Sequence, residues 1–183
     1  MTDKPFPRVL FPDEKANSVD DIDYERLVSS GIKAIIFDLD NTLALWGEDE
    51  LEQEIVDLFD FLTSIGLRVG IMSNTKRQEI QDFVLKLPFP HLFNANKPRS
   101  KGFKLMLDKL GVSAEKTVMV GDQLFTDVLG ANRLDIYTIR VDPLDTDHEY
   151  RLTKINRIGE RFLLRLRRLY RFLGQLPKVL AEW

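Results

Sequence analysis

Apolar runs and amphipathic stretches alternate along most of the chain. Short runs rich in Val, Ile and Phe predict buried strands, and stretches with apolar residues every three or four positions predict helices. The predicted strands are Lys33–Phe37, Leu67–Met72, Thr117–Val120 and Ile136–Val141, with a short piece near His91–Ala95. The predicted helices are Asp20–Ser29, Asp49–Ser64, Lys76–Leu85, Ser100–Leu110 and Thr126–Asn132.

Single helices separate the predicted strands, so consecutive strands need crossover connections. Such connections are right-handed and build a parallel sheet with helices on both faces. The expected fold class is therefore α/β, a Rossmann-like three-layer sandwich around a central parallel sheet. Ligands of such sheets bind beyond the carboxyl ends of the strands, so the residues directly after each strand are the candidates for chemistry.

We divide the chain into three regions: an irregular entry segment at 1–30, an α/β core at 31–145 and a tail at 146–183. The one boundary in composition lies at about 145–151, where the basic tail begins. Within the tail, residues 151–183 contain nine Lys or Arg and two acids, a charge of +7. The whole chain carries −3, which leaves −10 for residues 1–150. We therefore expect the basic tail to meet an anionic partner.

Apolar residues of the tail are spaced by three or four positions and form one stripe of a predicted helix. They are Ile155, Ile158, Phe162, Leu166, Leu169 and Leu173. A basic amphipathic helix is typical of proteins that bind an anionic membrane surface. Two other uses stay open: the stripe packs on the protein's own core, or the arginines bind RNA or an assembly partner.

The absence of cysteine excludes disulfide scaffolds, thiolate zinc sites and cysteine nucleophiles. The first residues lack the apolar segment of a signal peptide, and no stretch approaches the length needed to span a bilayer. Together with the basic tail, these features predict a protein of the cytoplasm or of an organelle interior that associates with a membrane peripherally.

Polar side chains follow the predicted strands. They are Asp38, Asp40, Asn41 and Thr42 after the first strand, Ser73 and Asn74 after the second, Lys97 before the helix at 100, and Asp122 with Asp127 after the strand at 117–120. Carboxylates from Asp38, Asp40 and Asp122 would repel one another unless a cation lay between them, and Mg²⁺ suits such a donor set.

Phosphate chemistry follows from the other groups at these strand ends. Lysine and hydroxyl side chains can hold phosphate oxygens, and a backbone turn at Asn41 and Thr42 can offer N–H groups to an anion. Metal and lysine together neutralise a transferring phosphoryl group, and an aspartate can attack phosphorus to form an aspartyl phosphate. The pattern predicts phosphoryl transfer.

Four ordered segments, IIFDLDNTL, IMSN, NKP and VGDQLFTD, resemble the motifs of the haloacid dehalogenase superfamily of phosphatases over residues 31–142. The resemblance implies that Asp38 is the nucleophile and that Asp40 is the general acid and base. It implies that Lys97 steadies both nucleophile and phosphate.

Binding roles also come from this resemblance. Ser73 and Asn74 would contact phosphate, and Thr42 would orient the loop after the first strand. Asp122 would bind Mg²⁺ together with Asp38 and the backbone carbonyl of Asp40, and Asp127 would support that end of the site from behind.

Cap domains of this superfamily are inserted between the first and second motifs or between the second and third. Here the intervals from Thr42 to Ser73 and from Asn74 to Lys97 each leave room for one helix and one strand. We therefore expect no cap domain and an open site.

Longer segments, including GIKAIIFDLDNTL, VGDQLFTDVLGANRLDIYTI and TKINRIGER, resemble the YqeG-like capless phosphatases, relatives of mitochondrial and plastid phosphatidylglycerophosphatases, over about residues 8–165. This implies hydrolysis of phosphatidylglycerophosphate to phosphatidylglycerol at an anionic membrane. Alternatives are a soluble phosphatase for a small metabolite or nucleotide, and a non-catalytic RNA- or assembly-binding protein. Nucleic acid is the less expected partner, and an oligomer is compatible with the sequence.

Overall fold

A computed structural model of the chain describes residues 8–145, so the predicted basic tail lies outside the described residues. The strands are β1 (Glu14–Lys15), β2 (Ala34–Phe37), β3 (Arg68–Met72), β4 (His91–Leu92), β5 (Thr117–Gly121) and β6 (Tyr137–Arg140). The helices are α1 (Tyr24–Ser29), α2 (Gln53–Ser64), α3 (Gln78–Val84), α4 (Ser100–Leu110) and α5 (Leu129–Asn132). Short 3₁₀ helices lie at Arg8–Leu10 and Ala114–Lys116, and a π-helical turn at Leu124–Val128 precedes α5.

Six described strands form one sheet in the order β1-β6-β5-β2-β3-β4, and every neighbouring pair is parallel. The central strand β2 pairs on both sides, with Ile35 opposite Val69 of β3 and Val118 of β5. The strands that follow in sequence are joined by helices, as a parallel sheet requires. The predicted α/β fold class is confirmed.

Alternating residues of β2 serve the two faces of the sheet. Ile35 and Phe37 belong to the larger apolar cluster, which includes Phe59 and Leu62 of α2. Ala34 and Ile36 belong to a second cluster that holds Phe103 and Met106 of α4. Burial on both faces makes β2 a continuous apolar run, and this is why the strand was readable from the sequence.

The entry segment differs from the prediction of irregular structure, because its strand β1 joins the edge of the sheet beside β6. The backbone N–H of Asp13 donates to the carbonyl of Thr138 at 3.0 Å, and that of Ala16 donates to the carbonyl of Arg140 at 3.1 Å. The Asp13 carboxylate also accepts from the Thr138 N–H at 2.9 Å. The strand has two residues, both charged, so the sequence has no hydrophobic alternation from which the strand could be predicted.

Both intervals in which a cap domain could be inserted are fully described. Residues 42–73 contain α2 and β3, and residues 74–97 contain α3 and β4. Neither interval contains a further domain, in agreement with the sequence prediction. Among the described helices, none combines the length and apolarity needed to cross a membrane.

Candidate active site

Two neighbouring strands, β2 and β5, end beside each other and bring their following aspartates together. Asp38 comes directly after β2 and Asp122 directly after β5, and one oxygen from each lies within 4.8 Å of the other and of an oxygen of Asp127. All three side chains are buried. The sequence placed Asp127 behind the site, whereas the structure brings its carboxylate into the same cluster.

The Lys97 ammonium lies between two of these carboxylates. Its Nζ is 2.5 Å from Oδ1 of Asp38 and 2.6 Å from Oδ1 of Asp127. The lysine side chain is 2% exposed, and those of Asp38 and Asp127 are 5% and 0% exposed. We call Asp38, Lys97, Asp122 and Asp127 the buried centre. Three carboxylates and one ammonium leave it with an excess of negative charge.

Burial and neighbouring charges act on the protonation of the buried centre in opposite directions. For Asp38, burial raises the pKa well above its usual value; the Lys97 ammonium opposes this, and Asp127, Asp122 and Asp40 raise it further. For Lys97, burial lowers the pKa, but Asp127 and Asp38 outweigh burial and raise it above the usual lysine value. The ammonium is therefore held in its charged form.

Asp127 is fixed by contacts with the end of β5. Its Oδ2 accepts a hydrogen bond from the backbone N–H of Gln123 at 3.1 Å. The same oxygen packs so close to Gly121 that a Cβ at this glycine would lie 2.5 Å from it. A side chain at position 121 would therefore displace a carboxylate of the buried centre.

Asp40 lies beside the buried centre and is oriented by Ser73. The Ser73 hydroxyl donates to Oδ2 of Asp40 at 3.0 Å and accepts from the backbone N–H of Thr75 at 2.8 Å. Arg77 approaches from the solvent side, with its Nη1 4.0 Å from Oδ1 of Asp40. The Ser73 side chain is fully buried. The sequence predicted that it contacts phosphate, and in the structure its hydroxyl contacts Asp40.

The turn after β2 is tightly hydrogen-bonded. Asn41 has φ of 66°, its N–H donates to the carbonyl of Ala44 at 2.7 Å, and the Thr42 N–H donates to the carbonyl of Leu39 at 3.3 Å. The Thr42 hydroxyl donates to Oδ1 of Asp122 at 3.4 Å. The two N–H groups expected to face an anion are thus used within the turn, because its left-handed residue folds the backbone back on itself.

Asn74 holds the backbone of Lys97. Its side-chain amide donates to the Lys97 carbonyl at 3.1 Å and accepts from the Lys97 N–H at 2.8 Å. This paired contact joins the loop after β3 to the loop before α4 and fixes the backbone position of Lys97. The sequence pointed to Asn74 as a phosphate contact and did not reveal this role.

Arg77 and Arg140 are residues of the site that sequence reasoning missed. Arg77 pairs with Asp49 at 2.8 Å, donates to the carbonyl of Glu48 and stacks over Trp46, its guanidinium carbon 5.2 Å from the ring centre. Arg140 Nε donates to the backbone carbonyl of Asp122 at 2.9 Å. The one available signal was the position of Arg77 four residues after Ser73.

A family model for haloacid dehalogenase-like hydrolases matches residues 43–135, half of the chain. "Probable phosphatase YqeG" of Bacillus subtilis is 34% identical over 157 residues, which cover 86% of this chain and 91% of that protein. The chain belongs to the haloacid dehalogenase-like hydrolases. The resemblance to YqeG-like phosphatases and the predicted enzyme class, a phosphatase of this superfamily, are thereby confirmed.

Two further similarities concern a more distant relative and the fold of the hydrolase. "Phosphatidylglycerophosphate phosphatase 1, chloroplastic" of Chlamydomonas reinhardtii is 29% identical over 150 residues, which cover 77% of this chain and 56% of that protein. A crystal structure of a haloacid dehalogenase family enzyme from Bacteroides thetaiotaomicron, in complex with magnesium and inorganic phosphate, has 16% identity and a TM-score of 0.50 over 64% of this chain and 98% of that one. At this identity the likeness concerns the fold.

Proposed function

We propose that this phosphatase hydrolyses the phosphomonoester of phosphatidylglycerophosphate, with magnesium, through an aspartyl phosphate on Asp38. The observation that carries the reaction type is the buried centre: a carboxylate at the end of β2, bonded to an ammonium and surrounded by further carboxylates. Such a centre concentrates charge where a phosphoryl group has to be bound and neutralised.

Asp38 performs the first step in this proposal. Lys97 donates to its Oδ1, which orients the carboxylate and leaves the other oxygen to attack phosphorus. The new bond joins that oxygen to phosphorus, and the bond between phosphorus and the glycerol oxygen breaks. Lys97 stays protonated because two carboxylates raise its pKa, so it stabilises the negative phosphoryl oxygens throughout.

Asp40 moves the protons. As a carboxylic acid it gives a proton to the departing glycerol oxygen, and as a carboxylate it then takes one from the water that attacks the aspartyl phosphate. That attack joins the water oxygen to phosphorus and breaks the bond between phosphorus and the Asp38 oxygen, which releases inorganic phosphate and restores the Asp38 carboxylate. The Ser73 hydroxyl, 3.0 Å from Oδ2, orients the group during both steps. A general acid and base of this kind contributes roughly 10²–10⁴-fold to the rate.

Magnesium fits the donor set of the buried centre. Oxygens of Asp38, Asp122 and Asp127 lie within 4.8 Å of one another, and one ammonium does not balance three carboxylates. Asp38 and Asp122 would hold the ion with the Asp40 carbonyl, while Asp127 remains bonded to Lys97 and the Gln123 N–H. When bound, the ion supplies positive charge to the phosphate oxygens.

The lipid substrate is supported by the likeness to the algal phosphatidylglycerophosphate phosphatase and by the lack of a cap over residues 42–97. An open site admits a phosphate on a bulky molecule. The deciding experiment compares turnover of phosphatidylglycerophosphate in mixed micelles with turnover of water-soluble sugar, nucleotide and glycerol phosphates by the full chain. We expect the lipid to have the higher kcat/KM. A clear preference for a soluble metabolite would favour the alternative phosphatase.

An anionic membrane is the proposed partner of residues 151–183, on the basis of their +7 charge. Each Lys or Arg near such a surface contributes about 1 kcal/mol. Changing Arg161, Arg165 and Arg168 to Glu should abolish sedimentation with phosphatidylglycerol vesicles and reduce lipid turnover, while hydrolysis of a soluble aryl phosphate persists. Unchanged sedimentation would exclude the membrane role, and RNA binding without phosphatase activity would favour the binding-protein alternative.

A further inference from the structure

An open pocket of about 290 Å³ lies beside the active site, between the loop after β3 and the loop before α4. Six polar residues line it: Asn74, Lys76, Asn94, Asn96, Lys97 and Arg99. Three of them are basic, and the lining contains no acidic residue. This is unusual in a chain whose first 150 residues carry −10, so the pocket is a local exception to the charge of the domain.

Lys97 joins this pocket to the buried centre. Its backbone is paired with the Asn74 side chain, and its ammonium reaches Asp38 and Asp127. Because that ammonium contacts Asp38 and Asp127, the basic groups of the pocket that can bind a further ligand are Lys76 and Arg99. Both are exposed, and neither forms an ion pair with a carboxylate of residues 8–145.

The loop that forms the pocket wall is held by hydrogen bonds. Asn94 and Asn96 adopt φ of 49° and 55°, and the Asn96 side chain donates to the Asn94 carbonyl at 3.0 Å. The Ala95 N–H donates to the Ser73 carbonyl at 3.0 Å, and the Arg99 N–H donates to the Asn96 carbonyl at 2.9 Å. Asn94, Asn96 and Arg99 are therefore presented from an ordered backbone.

Cations without acidic partners, set among amide groups, form a site for an anion. The size is at the lower end of small-molecule pockets, and the polar lining suits a headgroup better than an acyl chain. We propose that Lys76 and Arg99 bind a second phosphate of the substrate, while its terminal phosphate lies at Asp38. This rests on the proposed function and assigns the residues that recognise the second phosphate of a substrate in which two phosphates are joined by a short polyol.

Two soluble compounds separate the second phosphate from the rest of the lipid. Glycerophosphoglycerophosphate has the phosphodiester and the terminal phosphate but no acyl chains, whereas glycerol 3-phosphate has only the terminal phosphate. We expect Lys76→Gln combined with Arg99→Gln to raise KM for the first compound by about tenfold, the effect of two exposed charge contacts, with kcat little changed. KM for glycerol 3-phosphate should stay within about twofold.

The matched control is Lys104→Gln combined with Lys109→Gln, which removes two exposed charges from α4 outside the pocket. It should leave both KM values unchanged. Equal shifts for the two compounds in the pocket variant would mean that the cations act only through the general field of the protein, and would overturn the proposal. The proposal would also be overturned if the pocket variant lost activity only on lipid in micelles and kept its KM for both soluble compounds. The two cations would then contact the lipid surface and not the second phosphate.

A binding measurement distinguishes failure of this inference from failure of the proposed function. With the full chain carrying Asp38→Asn, calorimetry should show tighter binding of glycerophosphoglycerophosphate than of glycerol 3-phosphate, and the pocket substitutions should remove the difference. If the wild-type chain does not hydrolyse the lipid but the binding difference is present, the lipid assignment fails and the second phosphate site stands. Equal binding of both compounds overturns the site.

Discussion

Ion pairs occur in two very different settings in this molecule. In the buried centre, Lys97 contacts Asp38 and Asp127 with side chains that are at most 5% exposed. At the rim, which we define as Trp46, Asp49 and Arg77, the pair between Arg77 and Asp49 has side chains 18% and 62% exposed. The distances are similar, 2.5 to 2.8 Å, so separation alone does not tell which pair matters.

Solvent makes the difference between these pairs. Water and salt screen the rim pair, and such pairs contribute about 0–1 kcal/mol. In the buried centre neither partner can recover its hydration when the other is removed, and breaking such a pair costs about 3–5 kcal/mol. The comparison teaches that loss of one charge from the buried centre costs the fold more than loss of one charge from the rim.

The largest effect on activity is expected from Asp38→Asn, because the amide cannot form the aspartyl phosphate. Phosphatase turnover of an aryl phosphate should fall by roughly 10⁴-fold or more, as for other enzymes that lose their nucleophile. Steady-state kinetics of the purified full chain measures this. Asp60→Asn makes the same change at an exposed position of α2 and should leave turnover unaltered. Appreciable activity in Asp38→Asn would exclude the assigned nucleophile.

Lys97→Met should give the largest loss of stability, because it leaves Asp38 and Asp127 buried without their counter-charge. The free energy of unfolding should fall by about 3–5 kcal/mol, measured by urea denaturation in the presence of EDTA. Lys104→Met removes an exposed lysine from α4 and should change stability by about 0.5 kcal/mol or less. Similar losses in the two variants would contradict the contrast between the buried centre and the surface.

Arg77→Gln should have the smallest effect of the three. It removes the contacts with Asp49, Trp46 and Asp40. The shortest of these is the ion pair with Asp49, whose side chain is 62% exposed. We therefore expect a loss of about fivefold or less in kcat. The loss should shrink further at high ionic strength, since screening already weakens the wild-type contact. Lys86→Gln, an exposed change at the end of the α3 region, serves as the control. A loss as large as that of Asp38→Asn would place Arg77 in the chemistry itself.

Sequence reasoning placed Asp38 and Asp122 at one site because both come directly after a strand. β2 and β5 are apolar throughout, so Asp38 and Asp122 mark the first polar positions after them, and parallel pairing brings the two together. The helix Ser100–Leu110 was also predicted at its observed limits, since Gly111, with φ of 62°, ends it in a left-handed conformation.

Local sequence patterns did not predict contacts between residues that are far apart in the chain. Arg77 meets Asp49 and Glu48 from 28 and 29 positions away, and nothing in the spacing of these polar residues marks the pair. β1 escaped notice because its stability comes from hydrogen bonds to β6 more than 120 residues later. The helix predicted from Thr126 begins earlier, as the π-helical turn at Leu124, which lets the Asp127 carboxylate bond to the Gln123 N–H.

The buried carboxylates also couple ion binding to folding. Any divalent ion that binds at Asp38 and Asp122 in the folded chain, and not in the unfolded one, adds stability that grows with the logarithm of its concentration. At one hundred times its dissociation constant the gain is about 2.7 kcal/mol. The melting temperature of this enzyme is therefore expected to rise with the concentration of free divalent ion. The residues that bind the ion thus make the stability of the fold depend on the ion content of the solution.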